Sequence, residues 1–152
     1  MFEGRWCILI KDKNKIKKNL NFLKKFWEKI GSKVTIMSPE KHDKIFSITS
    51  HIPHLVAYNM VKTAMNFEKK KKSNIVKFSA GGLRDFTRTA ASNEIMWKDI
   101  FISNNENILK SIEDFELSLK ELKELIKQQD DEAIVKFLKD TKTLRDSALE
   151  ND

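Results

Sequence analysis

A single cysteine, Cys7, in 152 residues rules out an internal disulfide framework and fits a reducing cytosol. It lies inside an apolar run and reads as a small buried hydrophobe rather than a reactive thiol. Two prolines and four glycines leave little material for long irregular stretches. No apolar run is long enough to cross a bilayer, and no charged segment leads into an apolar core as in a secretion signal, so a cytoplasmic chain without a membrane partner is expected. No Gly-rich turn follows a strand-like run, so the dinucleotide phosphate fingerprint is not found. The histidines, His42, His51 and His54, have no cysteine nearby and match no common zinc spacing; no metal is expected. No Ser/His/Asp or Cys/His arrangement for nucleophilic catalysis stands out. Arginine is scarce as well: only Arg5, Arg84, Arg88 and Arg145 among 29 cationic residues.

What is present is a chain 40% hydrophobic with a formal charge of +7. The charge invites a nucleic-acid reading. Against it, the lysines are spread along the chain among 22 acidic residues, many on the polar faces of expected helices. The one basic run, 69–72, reads as a solvated loop. No nucleic-acid partner is expected.

The first forty residues read strand, helix, strand. Trp6 to Ile10 is a short apolar run suited to a buried strand. Ile16, Leu20, Leu23, Trp27 and Ile30 recur at helical spacing, and Gly31 is a natural stop. Val34 to Met37 forms the second strand, and the length between suits a parallel crossover. Two strands alone do not make a stable sheet, so a partner chain or further strands are implied.

Ser38 and Pro39 start a helix as cap and first-turn residue. Helical patterning continues to about Phe67, with a bend at Pro53 between His51 and His54. A short helix should include 84–91. Ser92 or Asn93 caps another, running through Trp97 to about Ile102. Ile108, Ile112, Phe115, Leu119, Leu122 and Ile126 then follow a 4,3,4,3,4 spacing, a heptad-like seam suited to intrachain core or to a dimer interface. A final helix carries Ile134, Phe137, Leu138 and Leu144. The fold class is mainly α: a short β-α-β piece at 1–38, then an all-helical bundle at 39–152.

The segment GGLRDFTRTAAS, 81–92, carries the most chemistry. A guanidinium grips a carboxylate through two parallel hydrogen bonds, which an ammonium does not. Arg84 and Arg88, four residues apart, share a helix face, and Asp85 could hold one of them. Gly81 and Gly82 permit close backbone approach. The competing reading is a surface ion-pair ladder of little energetic weight. His54, beside the proline bend, is balanced between structure and function; His42 reads as structural. Trp97 with Met96 reads as core. On spacing alone the chain is a helical domain with a carboxylate-binding pocket.

The stretch HDKIFSITSHIPHLVAYNMV, followed by FSAGGLRDFTRTAASNEIMWKDIFISN, closely resembles the C-terminal part of the prephenate/arogenate dehydrogenase family. Its HD pair, SHxPH, glycine-rich lead into RDxTRIA, and MWxDI occur in order and at plausible separations. The resemblance covers nearly the whole chain and is weakest in the last thirty residues. It implies a nucleotide-binding α/β domain whose Rossmann-type tail is residues 5–37, followed by a helical substrate-binding domain that forms a homodimer. It implies His54 and Arg88 as substrate contacts, Asp85 as orienting the arginine site, and Trp97 as lining the pocket or an inhibitor site. His51 and His42 are then supporting, with Ser50, Gly81, Gly82 and Arg84 in the same motifs. Thr89 departs from the family pattern, which often has a branched apolar residue there; this should alter packing rather than chemistry. The family's phosphate loop and catalytic histidine lie upstream of the matched region, so no catalytic residue is expected in this chain. NAD or NADP would be bound mainly by that upstream domain, which a separate nucleotide-binding chain could supply. Prephenate and arogenate both stay open as substrate. The alternative is a non-catalytic helical interaction module, or a remnant binding a small carboxylate or a partner helix.

Overall fold

The computed structural model describes residues 1–11, 17–72 and 76–149. Strand β1 (Trp6–Ile10) leads to helix α1 (Lys17–Lys29) and strand β2 (Lys33–Met37). The strands are parallel, with Trp6 opposite Lys33 and Ile10 opposite Met37, as the crossover length requires. Ile16, placed on the α1 face from its spacing, lies outside the described residues. Gly31 ends the helix in a Schellman arrangement: its own N–H bonds Glu28 O at 3.0 Å and Ser32 N–H bonds Trp27 O at 3.0 Å. Its φ is +93°, and a Cβ there would come within 3.1 Å of the Glu3 backbone, so only glycine fits.

Helices follow: α2 (Pro39–Phe46), α3 (Ile52–Lys71), α4 (Gly81–Thr87), α5 (Glu94–Ser103), α6 (Asn105–Gln128) and α7 (Asp131–Leu149). Ser38 caps α2 through Oγ, which accepts from Lys41 N–H at 3.2 Å. The bend at Pro53 takes a specific form. Residues Ser47–His51 are a π turn, in which Ile52 N–H reaches five residues back to Ser47 O, and Pro53 then opens α3. A proline has no N–H to give, so the widened turn sits where the ladder must break.

Contacts divide the chain into two compact units, residues 1–42 with 113–152, and residues 43–112. In the second, Ile52, Ala57, Trp97 and Ile108 are buried, together with Ser47, His51, Asn104 and Ser111. In the first, Ser32 alone is buried among the described residues. Several sequence expectations are corrected here. Trp6 and Ile10 are exposed and Cys7 is half-buried, because a two-stranded sheet with one helix cannot cover both its faces. The 69–72 run is not a loop. Lys69, Lys70 and Lys71 form the last turn of α3, where cations offset the helix dipole, and Lys72 caps it at φ 49°. The seam on α6 is buried only at its start: Ile108 is 3% exposed, Phe115 40% and Ile126 59%.

The α6–α7 connection shows how a helix can stop without glycine. Gln129, at φ 54°, donates to Ile126 O, and Asp130 N–H reaches Leu125 O. Asp130 Oδ1 then caps α7 by accepting from Ala133 N–H at 3.0 Å. At the carboxyl ends of β1 and β2, Lys11, Ile36, Met37 and Ser38 line a cavity of about 400 Å³.

Candidate functional site

The site is built on residues 43–112. His54 lies in the first turn of α3, half-buried, and its ring stacks on the Trp97 indole of α5 with centroids 3.8 Å apart and planes 25° from parallel. Asn93 starts α5 one turn earlier, its side chain accepting from Met96 N–H at 2.9 Å; this sets Trp97 on the inward face. Trp97 is 5% exposed, and Phe101 lies 5.5 Å from it, one turn on. The indole therefore is core, as its residue type suggests, and also one wall around His54. Its Nε1–H is buried and has no acceptor among the described residues. A buried donor without a partner is costly, so the position favours any acceptor that enters.

His54 Nδ1 lies 2.9 Å from the carbonyl of Ser50. A carbonyl only accepts, so Nδ1 carries the proton and Nε2 is the atom left for a ligand. Neutral, Nε2 accepts from a hydroxyl; protonated, it donates to a carboxylate. Ser50 thus acts through its backbone.

Arg88 begins the 3-10 segment Arg88–Ala91 that follows α4. This segment packs on α3, the helix that bears His54. Tyr58 ties the two together, its hydroxyl donating to Ser92 O at 3.0 Å, and Ser92 Oγ donates back to Thr89 O at 2.7 Å. Thr89 itself is half-buried. The single helix expected over 84–91 is therefore two pieces, and α4 closes at Thr87, whose hydroxyl bonds Leu83 O. Arg84, Asp85 and Arg88 are all exposed, and among the described residues no carboxylate lies within 4.0 Å of either arginine. The pairing expected for Asp85 is not formed: in solvent the Coulomb gain is too small to fix these side chains. Gly81 and Gly82 open α4 at ordinary φ. A Cβ on Gly82 would meet nothing within 4 Å and one on Gly81 only Asp85 Oδ2 at 3.7 Å, so this fold does not itself demand glycine at either position.

His51 is buried in the π turn, with its ring edge-to-face on Trp97 at 6.2 Å. Its Nδ1 lies 3.3 Å from Asn104 Nδ2. Ser47 and Ser111 share a hydrogen bond at 2.8 Å below the same turn. Asn104, Ser47 and Ser111 were not singled out from the sequence. Asn104 sits in the polar run SNNEN between two expected helices, and no local pattern marks Ser47 or Ser111. His42 lies in α2, half-buried, in the unit of residues 1–42 with 113–152. Among the described residues no group of three or more His, Cys, Asp or Glu is placed to hold a metal ion. No described helix is long and apolar enough to cross a membrane.

The dinucleotide fits this chain poorly. Its pyrophosphate needs a glycine-rich turn between strand and helix, and the residues after β1 run Lys11-Asp12-Lys13-Asn14-Lys15. Within residues 43–112 two features define a class: a stacked histidine–tryptophan pair on α3 and α5, and an arginine-bearing 3-10 segment packed on α3.

Residues 38–140 match the prephenate dehydrogenase, dimerization domain family, and the chain belongs to that family. It is 34% identical over 145 residues to cyclohexadienyl dehydrogenase of Zymomonas mobilis, covering 95% of this chain and 50% of that one. It is 32% identical over 146 residues to prephenate dehydrogenase of Bacillus subtilis, covering 96% of this chain and 39% of that one. A crystal structure of prephenate dehydrogenase from Aquifex aeolicus, in complex with hydroxyphenyl propionate and NAD+, superimposes with a TM-score of 0.88 at 44% identity. That match covers 99% of this chain and 51% of the other. The chain thus spans about half the length of the relatives it matches.

Proposed function

We propose that this chain is the substrate-binding and dimerisation part of a prephenate or arogenate dehydrogenase. The reaction is NAD(P)-dependent oxidative decarboxylation, giving 4-hydroxyphenylpyruvate from prephenate or tyrosine from arogenate. Residues 39–152 form the substrate-binding and dimerisation domain, and residues 1–38 are the tail of a nucleotide-binding domain. Further nucleotide-binding sequence, in the same protein or in a separate chain, holds NAD or NADP. The nicotinamide is the hydride acceptor, and this chain's residues bind and orient the acid.

The observations that carry this reading are the His54–Trp97 stack with its unsatisfied indole N–H and the packing of the arginine-bearing 3-10 segment on α3, the helix that bears His54. The substrate is a ring bearing a carboxylate and a hydroxyl, with a second acidic group on its side chain. Arg88, exposed and unpaired among the described residues, offers a planar fork to a carboxylate. His54 Nε2 offers a hydrogen bond to a second oxygen, and the ring lies against aromatic surface. Asp85 and Arg84 shape the field around Arg88; His51, Ser50 and His42 support the turn and the helices. Binding energy of this kind orients the substrate for the step at the ring carbon. The exposed apolar residues of α6 form the homodimer surface. The unit of reaction is cytoplasmic and needs no metal.

The test is turnover. Co-expressed with a folded nucleotide-binding region from a relative, the chain should support NAD(P)-dependent oxidation of prephenate or arogenate. A folded complex inactive on both substrates with both cofactors would contradict the proposal.

A further inference from the structure

His51, in the π turn, and His54, just after it, meet opposite hydrogen-bonding demands. Asn104 Nδ2 lies 2.8 Å from the Asp43 carbonyl and 3.3 Å from His51 Nδ1. A carbonyl only accepts, so the amide nitrogen must be the atom facing Asp43; turned over, two acceptors would meet. The amide oxygen is occupied separately, accepting from Asn107 Nδ2 at 2.7 Å. One amide N–H serves Asp43 and the other points to His51, so His51 Nδ1 is the lone pair and its proton sits on Nε2. His54 is the reverse, with the proton on Nδ1 facing Ser50 O.

We propose that Asn104 is a positioning residue: it holds His51 in the Nε2–H form and thereby sets the pose of the Trp97 indole on which His54 is stacked. Asn104, His51 and Trp97 are 7%, 9% and 5% exposed, so water competes little for these contacts. The His51 ring meets Trp97 edge-to-face, and Trp97 carries His54 on its face. A half-turn of the His51 ring would exchange Nδ1 for a carbon and present a different edge to the indole. The Asn104 donor removes that freedom. The Ser47–Ser111 hydroxyl pair fixes the same turn to α6. Asn104 touches no ligand in this account; it acts through His51 and Trp97. Its effect on affinity rests on the function proposed above, whereas the tautomer and the indole pose do not.

Imidazole-nitrogen NMR of the full 152-residue chain reads the assignment directly: His51 protonated on Nε2, His54 on Nδ1. Asn104→Asp keeps the shape and removes the donor. It should move His51 to a form protonated on Nδ1 and shift both the Trp97 indole N–H and the His54 ring signals. The Trp27 indole, packed on Phe2 and Phe26, should stay in place. Prephenate affinity should fall by about tenfold, the scale of one lost hydrogen bond. If Asn104→Asp does not fold, Asn104→Ala, which also lacks the donor, should release His51 from the Nε2–H form and shift the same Trp97 and His54 signals. A wild-type His51 protonated on Nδ1 overturns the proposal, as does a folded variant with unmoved Trp97 and His54 signals. Failure of the wild-type chain to bind prephenate would overturn the proposed function and leave the tautomer result standing.

Discussion

Residues 43–112 hold every buried apolar side chain among the described residues, Ile52, Ala57, Trp97 and Ile108, and beside them a hydrogen-bonded group of Ser47, His51, Asn104 and Ser111. Among the described residues, 1–42 with 113–152 bury only Ser32, and leave Trp6, Phe22, Phe26, Phe115, Leu119 and Ile126 exposed. Each of the four buried polar side chains in the first region has a partner inside it, and the Trp97 indole N–H is the exception among its buried polar atoms. Both regions expose large apolar side chains, Met65, Phe67, Phe78 and Ile95 among those of the first, but in the second no described apolar side chain is buried beneath them. The contrast separates a small core formed by the chain's own residues from apolar faces suited to being covered by other protein, whether a second copy or further strands.

The comparison predicts unequal responses to substitution. The largest belongs to the self-contained region: Trp97→Ala should cost about 3–5 kcal/mol, because it opens a cavity and strips His54 of its stack. Thermal or denaturant unfolding measures it, and a loss comparable with that of a surface change would mean the indole is not core. Next, Gln129→Gly should stabilise by about 1 kcal/mol, since glycine takes the left-handed conformation without the cost of a side chain. A destabilised variant would show that the α6–α7 connection has another conformation in solution. Smallest for folding is Leu119→Asp, expected to change the stability of a single chain by less than about 0.5 kcal/mol. The same change should convert dimer to monomer in sedimentation velocity. A variant that remains dimeric would move the interface away from α6.

The sequence made some of this legible and not the rest, for physical reasons. Apolar spacing and the Ser38, Gly31 and Asn93 signals marked strands and helices, because these are local properties of the backbone. Pro53 marked a bend but not its form, since a π turn depends on which carbonyl the next free N–H can reach. The break after Thr87 was not visible, because R-D-F-T-R-T-A has no helix breaker. His54 and Trp97 were named from resemblance, and their stacking is a tertiary fact. Asn104 could not be found: its role comes from residues more than fifty positions away. Exposure of the α6 seam also escaped the pattern, since an apolar stripe looks the same whether its partner is in the chain or outside it.

The central claim is that a guanidinium at position 88 and an imidazole at position 54 bind one acidic ligand together. Calorimetric titration of prephenate into the wild type, His54→Ala, Arg88→Ala and the double variant tests it directly. Each single change should weaken binding, Arg88→Ala by about tenfold to a hundredfold for a lost charged hydrogen bond. The double variant should lose less than the two losses combined, because the residues share a ligand. Wild-type affinity in either single variant would contradict it.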